Sequence, residues 1–483
     1  MRIQSLVLAV LAASLPTLSG AAEPPIAFSR QWTHTHTTAG QLAEIPAYDE
    51  RTHTIWVAGV VGVDVLDADT GALIEHIAVP ACGPAVAAPC GFVNSVAIRN
   101  GLAAFAIESG VRTAPGSVGF YDTRTRAPIG HVTVGALPDM LAFTHDGSRL
   151  LVANEATPDV YGLRDGTSVP WVFADAANDP AGSVSIIDVA TRAVVATPGF
   201  AGVPTSGSHL RTKTGMDFEP EYIAIARDGT QAFVTLQEAN AIAVLDLASN
   251  AFTAVIGLGA KDFSLSGNQI DPWNNSTVEF ISPKAKGLYM PDGVAAYTWR
   301  GATYLVMANE GDFREDDGDR VAASALGAAA PLGSLRVSTT DSSPGDLYAA
   351  GARSFSIRDE SGNLVYDSGD LLDKEAARRG IYHDGRSRDK GVEPEGVALH
   401  DIAGRTYAFI GLERTTTSAI AVFDVTDPYD VAFIDMIVGK GDVSPEGIAV
   451  FRHRGTDYLA VAHEVSNTTT LWRIDRSRPR ARR

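Results

Sequence analysis

Acidic residues recur at two fixed places along this chain. Glu44, Asp139, Glu221, Asp292, Glu395 and Glu446 each lead into a β-rich run. Glu108, Glu155, Glu238, Glu310, Glu413 and Glu464 each trail the run that follows. In five units the leading and trailing acids are 16 to 18 residues apart, as in Asp139 and Glu155 or Glu446 and Glu464. In an antiparallel hairpin the start of one strand lies beside the end of its partner, so each pair converges on one edge of its sheet. Twelve carboxylates gathered at one opening need positive charge to offset their repulsion. Oxygen-only ligation favours a hard divalent cation, Ca²⁺ before Zn²⁺. Arg386, Arg388 and Lys390 precede Glu393, and Arg414 follows Glu413. These cations are candidates to hold a phosphate against a metal cluster, the arrangement that phosphoester hydrolysis uses.

The elements that must position these acids form a repeat. In EPEYIAIARDGTQAFVTLQEANAIAVLDL, Glu219 to Leu247, three β-rich runs are joined by an Asp228-Gly229 turn and a Gln237-Glu238 corner. Short alternating runs with tight turns predict an antiparallel meander. The same order recurs from Glu44, Asn94, Pro138, Pro291, Glu393 and Ser444, which makes seven units. The first unit has Gly59-Val60 at its trailing position, and the second has Asn94-Ser95 at its leading one. Seven meanders in series predict an all-β, seven-bladed β-propeller, a ring in which the first strand of each blade lines a central channel. Longer stretches at Thr157–Ala181, Ala260–Lys286 and Gly311–Ala352 read as insertions on one face, and Leu371–Arg379 is the best helical segment.

Composition sets further bounds. The chain has 483 residues and a formal charge of −18, a poor balance for binding nucleic acid. Residues 1–22 read as a secretory signal peptide, with an apolar run from Leu6 to Leu15 and small residues at Ser19 to Ala22. No later stretch is apolar enough to span a bilayer. Residues 23–475 are expected to form one domain, and 476–483 a basic tail with five arginines. The expected location is periplasmic or secreted, and the expected state a monomer. Export permits a disulfide, and Cys82 and Cys90 in ACGPAVAAPC are expected to pair. A second acidic run, Glu310 to Arg320, contains Asp312, Glu315, Asp316, Asp317 and Asp319 and reads as solvated charge without EF-hand spacing. His34 and His36 could chelate a metal. The sequence contains no Gly-x-Ser-x-Gly elbow, phosphate loop or His-Glu-x-x-His run.

Several of these stretches together resemble the choice-of-anchor I family of exported bacterial propellers. They are NSVAIRNGLAAFAIE, GALPDMLAFTHDGSRLLVANE, YMPDGVAAYTWRGATYLVMANEGDFRE, GARSFSI with LVYDSGD, and RSRDKGVEPEGVALHDIAGRTYAFIGLER, besides the unit at Glu219. The resemblance runs from Gly40 to Ile474 and implies a seven-bladed, YVTN-type propeller. Some relatives carry alkaline-phosphatase or phytase-like labels, and others are described as surface glycoproteins. The sequence departs from the pattern at ERTTTSAI, after Glu413, and in its arginine tail, where relatives carry apolar anchors. Two functional readings follow. One is a metal-dependent phosphoesterase acting on a phosphorylated small molecule. The other is a non-catalytic, Ca²⁺-stabilised propeller that serves as a cell-envelope binding protein.

Overall fold

The computed structural model describes residues 25–79, 90–157, 180–211, 218–313 and 319–476. The expected signal peptide, Cys82, the basic tail beyond Arg476 and the residues Glu315, Asp316 and Asp317 lie outside this set. So the expected Cys82–Cys90 pairing falls there too, although Cys90 itself opens the strand Cys90–Arg99.

The protein is all-β. Among the described residues seven meanders of antiparallel strands follow one another along the chain. Their first strands are Pro46–Asp49, Cys90–Arg99, Pro138–Phe143, Pro220–Ile225, Val294–Trp299, Pro394–Ile402 and Pro445–His453. The second and third strands are apolar and buried on both faces, as Thr54–Gly59 and Ala241–Asp246 illustrate. Outer strands such as Leu73–Ala78 are largely exposed. Core lies on each side of these inner strands, so they read as near-continuous apolar runs.

Each pair of neighbouring meanders encloses its own hydrophobic cluster. Trp56 and Val65 pack with Phe105 and Tyr121 between the first two. Phe355 and Val306 pack with Phe423 and Ile410 between the fifth and sixth. The series closes on itself, because Ile55, Val57 and Leu66 of the first meander pack with Phe451, Ala460 and Leu471 of the last. The last sheet is built from both ends of the chain. Strand Ile26–Thr35 pairs antiparallel with Thr468–Arg476 and supplies the outer edge. Closing a series this way protects strand edges that would otherwise be open to pairing.

Two classes of acid separate at the ends of the strands. Aspartates that end third strands cap the following turn: Asp67 accepts from Thr70, Asp122 from Thr125, Asp188 from Thr191 and Asp246 from Ser249. These are Asx turns, satisfied locally. The leading and trailing acids sit elsewhere, at the inner strands, and are described below.

Residues between 263 and 285 share a hydrophobic cluster with residues between 323 and 349. Phe263, Ile270 and Ala285 pack with Ala323, Leu335, Val337 and Leu347. The expected helix is present as Leu371–Arg378. No helix among the described residues is long and apolar enough to cross a membrane.

Candidate metal centre

The first strands meet one another around a common axis. Each lies against the first strand of the next meander, and Pro445–His453 lies against Pro46–Asp49. The steps Pro291-Asp292-Gly293, Pro394-Glu395-Gly396 and Pro445-Glu446-Gly447 explain how closely they approach. A Cβ on Gly293 would lie 2.4 Å from the carbonyl oxygen of Glu395. One on Gly396 would lie 2.6 Å from that of Glu446, and one on Gly447 would lie 2.5 Å from that of Glu44. Only glycine lets each backbone touch the next acid's peptide.

The acid beside each proline is re-aimed by a break in strand register. Pro138 pairs with Asn154 and pairing resumes at Leu141, which leaves Asp139 in the irregularity. The same break flanks Glu221, Glu395 and Glu446. Such bulges turn a side chain out of the regular alternation. The residue before the proline holds a left-handed backbone at Leu137, Met290, Glu393 and Ser444, with φ of 44°, 43°, 52° and 61°. For a residue with a Cβ this costs roughly 1–2 kcal/mol, and it recurs at the same place in four meanders.

The result is one cavity of about 410 Å³. Nine of the twelve repeat acids line it: Glu44, Asp139, Glu221, Asp292, Glu310, Glu395, Glu413, Glu446 and Glu464. Val60, Asn94 and Ser95, the positions that lack an acid, line it as well. Glu108, Glu155 and Glu238 are not among the lining residues but lie within electrostatic reach of them. Glu108 raises the pKa of Asp139, while Glu155 and Glu238 raise that of Glu221. Oxygen atoms of Asp292, Glu310 and Glu395 lie within 4.8 Å of one another, as do those of Glu395, Glu413 and Glu446.

The electrostatics are those of a crowded, recessed acid cluster. Burial and then the neighbouring Glu464 and Asp139 push Glu44 up to about 7. Burial and Glu108 push Asp139 up to about 7. Burial followed by Glu44 raises Glu446 to about 8. Glu221, Asp292, Glu395 and Glu413 are raised well above the ordinary carboxylate range, each by burial first and by neighbouring carboxylates next. Oε2 of Glu395 and Oε2 of Glu238 are buried without a hydrogen-bond partner. An all-carboxylate set with buried, unpaired oxygens fits a hard, oxygen-seeking divalent ion.

The basic residues divide. Lys390 is buried, 2.6 Å from Glu310 and 3.1 Å from Glu393. Arg386 grips Glu393 through both oxygens, at 2.5 and 2.9 Å. Burial alone would raise Glu393, but Lys390 and Arg386 outweigh it and hold its carboxyl below the ordinary value. Thus Arg386 and Lys390, read from sequence as phosphate ligands, are engaged by carboxylates, and Arg388 does not line the cavity. Arg414 does line it and reaches Glu413 at 2.6 Å. Gln237 also lines it and donates to Glu310 at 2.8 Å. Glu393 was not among the repeat acids, because it precedes the proline instead of following it; the three basic residues just upstream were its only sequence signal.

Hydrazine synthase from Kuenenia stuttgartiensis superposes with a TM-score of 0.51 at 12% identity, over 92% of this chain and 98% of that one. A chain from a mitotic checkpoint complex gives 0.49 at 11% identity, over 98% of each. The first likeness concerns the fold alone, which is β-propeller-like. No curated protein matches the sequence. The choice-of-anchor I domain profile matches residues 44–428, about four-fifths of the chain, and so includes ten of the twelve repeat acids and excludes Glu446 and Glu464. The protein belongs to the choice-of-anchor I family.

Proposed function

We propose that the protein is an exported, seven-bladed β-propeller whose central mouth binds hard divalent cations, Ca²⁺ first among them. One observation carries this reading: nine carboxylates from the repeat line a single cavity of about 410 Å³, with Arg414 the one basic residue in its described wall. Asp292, Glu310 and Glu395 are the first choice of ligands, and Glu395, Glu413 and Glu446 the second. Lys390, which already neutralises Glu310 and Glu393, sets one end of the cluster. The ion rigidifies the mouth by joining acids from successive blades, and the chain acts as a monomer in the periplasm or outside the cell. Equilibrium dialysis of chelator-stripped protein against Ca²⁺ tests this. Saturable binding that weakens in Glu395→Gln supports it, and no saturable binding in the wild type defeats it.

Arg414 favours a second reading, hydrolysis of a small phosphorylated molecule. Its guanidinium stands at the cavity wall beside Glu413, placed to donate to phosphate oxygens. A bound divalent ion supplies charge for the phosphate and acidifies a coordinated water. Hydrolysis of p-nitrophenyl phosphate that needs Ca²⁺ and disappears in Arg414→Met supports this role. Activity that persists in that variant removes Arg414 from it. Failure of both variants and wild type to hydrolyse any phosphoester leaves the propeller a cation-stabilised binding protein of the cell envelope.

A further inference from the structure

A second cluster of ligating side chains lies away from the acidic mouth, where the two chain ends are joined. His34 is the next-to-last residue of the strand Ile26–Thr35, and His36 follows the strand. Asp64 belongs to Gly62–Asp67 of the first meander and His76 to Leu73–Ala78 beside it. His36 Nδ1 is 2.6 Å from Asp64 Oδ2, and His76 Nδ1 is 2.6 Å from Asp64 Oδ1. Ligating atoms of His34, His36 and Asp64 all lie within 4.8 Å of one another.

Two features go beyond a hydrogen-bonded seam. Nε2 of His34 is buried and has no hydrogen-bond partner. Two of the three prospective ligands also have an outer support. Thr469 Oγ1 sits 2.8 Å from His36 Nε2, and His76 holds the second oxygen of Asp64. This is the pattern of outer-shell bonding that fixes tautomer and direction in imidazole–carboxylate metal sites.

We propose that His34 Nε2, His36 Nδ1 and an Asp64 oxygen form a transition-metal site of the Zn²⁺ type, chemically distinct from the oxygen-only mouth. Two imidazoles and one carboxylate are a common donor set for Zn²⁺, which leaves a fourth position to water. The ion takes the place of the hydrogen bond between His36 and Asp64. The imidazole proton of His36 moves to Nε2, where Thr469 Oγ1 accepts it, so binding by this ring needs no net loss of a proton. The site ties the N-terminal strand to the first meander, at the seam where the series of sheets closes.

The test uses the full chain, stripped of metal and then saturated with Ca²⁺ so that the acidic mouth is filled. Zn²⁺ is titrated in and the zinc-edge X-ray absorption spectrum recorded. The expected result is one equivalent of Zn²⁺ with two imidazole ligands, a signature that the mouth cannot give because no histidine lines it. His34→Gln, which alters a nitrogen without a partner in the fold, is expected to weaken Zn²⁺ binding by about tenfold or more and to abolish the rise in Tm that Zn²⁺ gives the wild type. A wild-type spectrum with oxygen ligands only, or unchanged Zn²⁺ affinity in folded His34→Gln, overturns the proposal. If His34→Gln does not fold, the wild-type spectrum alone decides.

Discussion

Lys390 Nζ lies 2.6 Å from Glu310 Oε1, so an internal cation already occupies one side of the acidic mouth. The ammonium is buried, and Glu393 at 3.1 Å shares it. Among the described residues, the other repeat acids of the mouth have no comparable counter-charge apart from Arg414 beside Glu413, while Asp312 lies 3.7 Å from the same Lys390. Proton uptake relieves their repulsion at low pH, and as pH rises through 7 to 8 a bound cation from outside takes over that role.

Lys390→Met is expected to destabilise the protein by about 3–5 kcal/mol, the usual consequence of leaving buried partners uncompensated. The check is chemical denaturation in the presence of a chelator. Part of the loss should return on adding Ca²⁺, because the ion can serve Glu310 and Glu393 in place of the ammonium.

The metal-free protein should lose stability as pH rises. Glu44 and Asp139 are raised to about 7 and Glu446 to about 8, whereas unfolded carboxylates ionise near 4 to 4.5. Between those limits the folded chain binds more protons than the unfolded one, so unfolding free energy falls with pH. The neighbours that raise these groups are Glu464 and Asp139 around Glu44, Glu108 beside Asp139, and Glu44 beside Glu446. Tm measured in chelator from pH 5 to pH 8 should therefore decline, and saturating Ca²⁺ should flatten the decline.

Gly447→Ala should destabilise by about 1–3 kcal/mol, the cost of overpacking a site that cannot yield. Its Cβ would stand 2.5 Å from the backbone oxygen of Glu44, and the Gly447 amide donates to that same oxygen at 3.1 Å. Thermal unfolding gives the measurement. An alanine at Gly229, with open space around its Cβ but a left-handed φ of 72°, should cost only the backbone strain.

Much of the mouth was legible because repetition fixes geometry. A leading acid after proline and a trailing acid 16 to 18 residues later meet once the hairpin forms, and Asp292 with Glu310 is an example. Even the exceptions fall into place, since Val60 and Asn94 line the same wall. Glu393 was not legible as part of the site, because its left-handed backbone and the pairing of its carboxylate with the nearby Arg386 and Lys390 appear only in the folded chain. The same contacts explain why Arg386 and Lys390 looked like phosphate ligands: sequence shows charge and spacing, whereas partners appear only when Glu310, 80 residues away, folds beside Lys390. Closure of the last sheet by Ile26–Thr35 was equally hidden, since that strand follows no repeat.

Anomalous diffraction from crystals grown with Ca²⁺ tests the central claim most directly. The account predicts a peak inside the mouth, within coordination distance of Asp292, Glu310 and Glu395 or of Glu395, Glu413 and Glu446. A mouth with no anomalous peak at saturating Ca²⁺, its carboxyls bonded to one another and to water, would contradict it.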